Sequence, residues 1–180
     1  MRLGKSCFYI SLISISVLPI SQSHAQPHAH DGRPHTHALP TQGIAHSHGG
    51  GKGVGYVSKG KVNGYATTTF PDGAKYVGYL SNGKPNGKGT FTFPNGDKYV
   101  GEFLNGKAHG YGTKTTTSGQ KYAGNHSNNK HHGRGTLTFP NGAKYVGNFV
   151  NGKFHGQGTY TDENGRVVTG QFANDKFINQ

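Results

Sequence analysis

Three His-x-His pairs carry the densest candidate chemistry in this sequence: His28/His30, His35/His37 and His46/His48. In an extended chain, side chains at i and i+2 point the same way. Each pair can therefore offer two imidazoles to one ion. Two pairs complete the four-coordinate set that Zn²⁺ takes, or the tetragonal set that Cu²⁺ or Ni²⁺ prefers. Asp31 is the one carboxylate nearby, which disfavours Ca²⁺ and Mg²⁺. The competing reading is a solubilising spacer that gains charge in acid, because histidine titrates near ~6.5. Both readings stand at this point.

Lysines supply the second pattern. Lys61, Lys84, Lys107, Lys130, Lys153 and Lys176 recur every 23 residues, and so do Lys75, Lys98, Lys121 and Lys144. Evenly spaced cations attract polyanions and acidic membrane surfaces, at ~1 kcal/mol per lysine near an anionic bilayer. The alternative is edge protection, in which exposed lysines discourage strand-to-strand aggregation. His109, His132 and His155 form a parallel column. Equivalent residues of neighbouring hairpins lie ~10 Å apart, too far to share an ion with ~2.1 Å bonds. His131 and His132, with His126, are the close histidine group of the repeats and a weaker metal candidate. Catalysis has little to stand on. Seven acids are scattered, and no Ser-His-Asp or Cys-His grouping has a signature context. The expectation is a protein that is not an enzyme.

What positions these columns is the repeat itself. Complete units occupy 76–98, 99–121, 122–144 and 145–167, opening with Tyr76, Tyr99, Tyr122 and Tyr145. A degenerate unit, 53–75, precedes them and a half unit, 168–180, follows. A fixed short period signals an array in which each unit needs its neighbours. Numbering each unit from its Tyr, the lysine columns fall at positions 9 and 23.

Each unit reads as a β-hairpin. Lys98-Tyr99-Val100-Gly101-Glu102-Phe103 alternates with period two, and Asn105-Gly106 supplies a tight turn. The second strand is expected to start near Gly110 and run to about Thr117. Pro94-Asn95-Gly96 then returns the chain to the next unit. The expected fold is all-β: an elongated, single-layer antiparallel meander of stacked 23-residue hairpins, roughly ten strands and a terminal hairpin. Gly at positions 3, 12 and 14 is expected to leave floor on which aromatic rings lie.

Tyr99, Gly101, Phe103, Gly106, Gly110, Gly112 and Thr113 set out a pattern, repeated in phase, that resembles the MORN (membrane occupation and recognition nexus) repeat. The likeness spans about 53–180. It implies a sheet of hairpins used as a binding or scaffolding module. A protein partner or an acidic phospholipid is the implied ligand, and a homodimer is among the implied assemblies. It implies no catalytic residue. The departures are local: Gly53 for the first Tyr, His126 for the aromatic at position 5, and Asn129 and Asp175 for Gly at position 8. Asn and Asp tolerate left-handed backbone better than most residues, so those turns are expected to survive, with unit 122–144 the softest.

Composition fits this reading. The chain has 180 residues, 31 of them Gly, no Trp and one Cys. So many glycines oppose helix, at ~1 kcal/mol per interior position, and no Gly-X-Y period supports collagen. Residues 1–25 read as a secretory signal peptide: a basic start, an apolar stretch from Cys7 to Ile20, and Ser23-His24-Ala25 as the exit. The apolar run is too short to span ~30 Å of hydrocarbon. The expectation is export, periplasmic or secreted, with cleavage near Ala25. A mature start at Gln26-Pro27-His28 would lack the Pro27 amide hydrogen, so metal would rely on imidazoles alone. Residues 26–52 are rich in Pro, Gly and His and read as disordered. The sheet needs no cofactor; Zn, Cu or Ni on the tail is the one metal class implied. Formal net charge is +12, yet no nucleic-acid module is visible, so no specific nucleic-acid partner is expected.

Overall fold

The structure is a computed structural model that describes residues 15–16, 42–47, 52–58 and 61–178. The expected signal peptide, apart from Ile15–Ser16, and most of the histidine-rich tail lie outside the described residues. The described residues form one 14-stranded antiparallel sheet in simple chain order, without a helix. Its strands are β1 (Ile15–Ser16), β2 (Gln42–Ser47), β3 (Lys52–Ser58), β4 (Lys61–Thr69), β5 (Lys75–Ser81), β6 (Lys84–Thr92) and β7 (Lys98–Leu104). They continue with β8 (Lys107–Thr115), β9 (Lys121–Ser127), β10 (Lys130–Thr138), β11 (Lys144–Val150), β12 (Lys153–Thr161), β13 (Val167–Ala173) and β14 (Lys176–Ile178). This is the open meander of hairpins expected. From β3 onward it comprises ten strands and the terminal β13–β14 hairpin. Two strands were not expected: β1 falls inside the expected signal peptide and pairs with β2, and β2 falls inside the stretch 26–52 and pairs with β3 from Gln42↔Tyr56 to His46↔Lys52.

The second strand of each unit starts earlier than the sequence suggests. β8 begins at Lys107, immediately after a two-residue turn, and not near Gly110. The reason is a bulge. Pairing of β7 with β8 shifts between Gly101 and Phe103, and Gly110 there has φ +65°. The same position is Gly64, Gly87, Gly133 and Gly156 in other units, all with positive φ. Position 12 is thus glycine for backbone reasons, whereas positions 3 and 14 are glycine for space.

That space holds the tyrosines. A Cβ on Gly101 would sit 2.7 Å from the Tyr99 hydroxyl, and one on Gly112 2.6 Å from its Cε2. The ring therefore lies on a floor of two glycines, one from its own strand and one from the partner strand. The expectation of a glycine floor holds for positions 3 and 14 and fails for position 12. The hydroxyl donates to the carbonyl three residues on: Tyr76 to Tyr79 at 2.9 Å, Tyr99 to Glu102 at 3.0 Å, Tyr122 to Asn125 at 2.8 Å and Tyr145 to Asn148 at 3.1 Å. Burial with a satisfied polar tip suits tyrosine. All four are essentially inaccessible to solvent.

Cover comes from other rings rather than from a second layer. The residue at position 10 stacks on the Tyr face: His131 on Tyr122 at 3.6 Å, Phe154 on Tyr145 at 3.8 Å. The residue at position 5 meets its own Tyr and that of the preceding unit edge-on. Phe103 touches Tyr76 and Tyr99, His126 touches Tyr99 and Tyr122, and Phe149 touches Tyr122 and Tyr145, all at 4.9–5.2 Å. Such edge-to-face pairs add ~0.5–1.5 kcal/mol each beyond burial. The first unit shows the rule by exception. With Gly53 in place of Tyr, position 14 is Ala66, buried against Gly55 beside Val62.

Hairpin tips are joined along one edge. The position-8 amide donates to the position-10 carbonyl of the preceding unit: Gly83 to Val62, Gly106 to Pro85, Asn129 to Ala108, Gly152 to His131 and Asp175 to Phe154. Both turn residues are left-handed in Asn128-Asn129 and Asn174-Asp175, as in the Asn-Gly turns. Asn129 and Asp175 do more than tolerate that geometry. Their side-chain oxygens accept from the Ala108 amide at 2.7 Å and the Phe154 amide at 2.8 Å.

Candidate functional site: the open face of the sheet

Because strand side chains alternate, the buried Tyr face leaves an opposite, open face. Register assigns its residues. Val100 pairs with Thr113 and Lys98 with Thr115, while Leu104 pairs with Lys107. The open face of each hairpin therefore runs from a position-23 lysine, across Val and Thr, to a position-9 lysine. Lys75, Lys98, Lys121 and Lys144 line one rim, and Lys61, Lys84, Lys107, Lys130, Lys153 and Lys176 the other. Both columns, expected merely at the two long edges, thus face the same side. Lys84 and Lys107 are half-buried; the other eight are exposed.

Between the rims run a Thr column at position 15 and a Val column at position 2, with Val100 and Val146 well exposed. Tyr65, Tyr79 and Tyr111 stand on the midline, each more than half exposed. Lys88 and Arg134 occupy the same midline column as Tyr65 and Tyr111. Opposite these ten rim lysines and two midline cations, Glu102 is the acid carried by the strands of this face. The remaining described acids, Asp72, Asp97, Asp162, Glu163 and Asp175, sit in turns. Two shallow depressions mark the face. One, of about 460 Å³, is bounded by Tyr65, Tyr79, Lys88 and Glu102. The other, of about 500 Å³, is bounded by Arg134, Val146, Asn148 and Gln157. Tyr111 borders both.

The repeat pattern is the observation that decides kinship. A family model described as the MORN repeat matches residues 54–75, 76–98, 99–121, 122–144 and 145–165. The chain belongs to the MORN-repeat family. No curated protein matches it. MORN repeats are generally binding and scaffolding modules that contact proteins or membrane phospholipids. In this MORN protein both lysine columns lie on the one open face.

The histidines divide differently. His28, His30, His35, His37 and His48 lie outside the described residues, and His46 is described only as a backbone position of β2. His132 and His155 are exposed and His109 is half-buried. Among the described residues no cluster of three or more His, Cys, Asp or Glu could hold a metal. His126 and His131, grouped with His132 in the sequence as a metal candidate, instead fill the ring positions 5 and 10 of the core. His132 faces away from them, one residue out of phase. Burial pushes the His126 imidazole down to about 4 and His131 down to about 3, and the Lys114 charge adds to both shifts.

Lys114 is the residue that sequence reasoning missed. It occupies position 16, which is Phe91 or Leu137 in neighbouring units and faces the core. Its side chain is only 11% exposed, 3.9 Å from Asp97 and over the Phe93 ring at 5.6 Å. Burial lowers its pKa, opposed by the Asp97 charge. Aligning position 16 down the repeats (Thr68, Phe91, Lys114, Leu137, Tyr160) would have found it.

Proposed function

We propose that this MORN protein is an exported, non-catalytic binding module whose open face docks on an acidic phospholipid surface. One observation carries the reading: among the described residues, the rims and midline of that face carry ten lysines, Lys88 and Arg134 against the single acid Glu102. Lysines used only to protect sheet edges would not need to share one face. Exposed Tyr65, Tyr79 and Tyr111 suit a boundary that is apolar on one side and wet on the other. At ~1 kcal/mol per lysine near an anionic bilayer, a few engaged residues of one rim suffice for stable attachment.

The test is co-sedimentation of the full chain with phosphatidylcholine vesicles and with phosphatidylcholine–phosphatidylglycerol vesicles, at low and high salt. Binding confined to the acidic vesicles and weakened by salt supports the reading. Failure to bind acidic vesicles at low salt would sink it and leave an acidic protein segment as the ligand of the same face.

A further inference from the structure

Along the middle of the open face, side chains from successive strands form one row, and its two halves differ in chemistry. Across β4–β7, Tyr65 pairs with Tyr79 and Lys88 with Glu102. From β8 to β13 the row reads Tyr111, Asn125, Arg134, Asn148, Gln157 and Gln171, with Tyr111↔Asn125, Arg134↔Asn148 and Gln157↔Gln171 in register. Four of these six are amides, and among the described residues no hydrogen bond within the protein engages their side chains. Two of them are held from the far side of the sheet. The backbone carbonyls of Asn125 and Asn148 accept from the buried Tyr122 and Tyr145 hydroxyls. Their side-chain nitrogens lie beside the bulge glycines: a Cβ on Gly133 would sit 3.4 Å from Asn125 Nδ2, and one on Gly156 3.4 Å from Asn148 Nδ2. The depression of about 500 Å³ lies over this half, bounded by Tyr111, Arg134, Asn148 and Gln157 with Thr136 and Thr159.

Given docking on an acidic membrane, on which this step rests, we propose that the β8–β13 half of the open face is a sugar site. It takes the headgroup of an acidic glycolipid, with ring hydroxyls on the amide row and the anionic group against a lysine rim. A side-chain amide offers two donors and an acceptor in one plane, and a sugar hydroxyl both donates and accepts in return. Pressing this half against a plain phosphate surface would strip water from the amides and return acceptors only. Their carbonyl oxygens would lose a donor, and an unanswered polar group opposes docking. A flexible glycerol headgroup can supply hydroxyls but must be ordered to do so, whereas a sugar ring holds its hydroxyls in place. Tyr111, more than half exposed at the end of the row, offers its ring to the C–H face of a sugar. Lys121 and Lys144 on one rim, and Lys130 and Lys153 on the other, stand exposed to either side of the row. They meet the anionic group whichever way the ring lies.

The experiment is co-sedimentation of the full chain at low salt, titrated with two sets of phosphatidylcholine vesicles. One set carries sulfoquinovosyl diacylglycerol and the other an equal molar share of phosphatidylglycerol. Each acidic lipid brings one negative charge, but only the first brings a sugar ring. The sugar lipid should bind about tenfold more tightly, the gain of about two added hydrogen bonds. Asn148→Val/Gln157→Val keeps the charge of the face and suits a strand; it should bring the ratio of the two affinities to within about twofold of one. Should that variant fail to fold, Gln157→Val alone, at an exposed position, should cut the preference at least threefold. Equal or weaker binding of the sugar lipid by the natural chain, or a preference that the variants keep, overturns the sugar site and leaves docking on acidic membranes standing. Binding to neither acidic lipid overturns both.

Discussion

Gly112→Ala separates a glycine kept for space from one kept for backbone freedom. The new Cβ would meet the Cζ of Tyr99 at 2.5 Å and Cε2 at 2.6 Å, with the hydroxyl closer still. Backbone is no obstacle, since Gly112 is not among the positive-φ residues. Overfilling a packed site costs about 1–3 kcal/mol. Displacing the ring also breaks the 3.0 Å bond from its hydroxyl to Glu102, worth about 1 kcal/mol. The expected loss is therefore about 2–4 kcal/mol, measured by urea unfolding followed through tyrosine emission, which no Trp obscures. Tyr99→Phe removes the atom met first and the same hydrogen bond. In that background Gly112→Ala should cost about 1 kcal/mol less. Gly142→Ala is the control. It has φ +87° with nothing within 4 Å of its Cβ, and should cost about 1–2 kcal/mol from backbone strain alone. Additive costs for Tyr99→Phe and Gly112→Ala would refute the glycine floor.

Three further outcomes follow from the same geometry. The folded-state pKa values of His126 and His131, about 4 and about 3, lie below the unfolded value of ~6.5, so the stability held by the neutral rings is complete above that value and is lost as pH falls through it. At pH 5 the loss is roughly 2 kcal/mol per imidazole, and urea midpoints at pH 7.5 and 5.0 should differ accordingly in the natural chain and far less in His126→Phe/His131→Phe. Asn129→Ala loses the bond to the buried Ala108 amide and places Ala at φ +67°, so it should cost about 2–4 kcal/mol, whereas Asn129→Gly, which keeps the turn, should cost about half that by the same unfolding assay. Lys75→Glu/Lys98→Glu/Lys121→Glu/Lys144→Glu reverses one rim without touching the core; its thermal midpoint should stay near that of the natural chain while binding to acidic vesicles drops at least 100-fold, and unchanged binding would remove that rim from the surface.

The period made most of the fold legible. Tyr, Gly and Asn-Gly recur in phase, and a sheet of hairpins obeys them because each unit repeats the same turn and the same ring seat. What stayed hidden lies where parity is broken. The bulge at Gly110 shifts alternation within β8, so period-two counting cannot say that Lys98 and Lys107 share a face. The same bulge disguised Gly110 as the start of a strand. His126 and His131 were visible as neighbours, but their role depends on which side of β9 and β10 they point, and that side is the packed one. Lys114 was hidden by type: a lysine among exposed lysines reads as surface unless its column is compared with Phe91 and Leu137.

The edge-on rings give the array a direction. Phe103 covers Tyr76, His126 covers Tyr99, Phe149 covers Tyr122 and Phe172 covers Tyr145 at 5.1 Å, so every unit is roofed by the one after it. During synthesis each tyrosine must wait for the ring 27 residues on to leave the ribosome before its cover is complete, and growth proceeds tile over tile from the amino end. The last tile needs a ridge piece, and β13–β14 is that piece. Whole units could be lost from the front with each remaining tyrosine still covered, whereas trimming the final hairpin would strip Phe172 from Tyr145 and leave it only the cover of its own unit, Phe149 and Phe154.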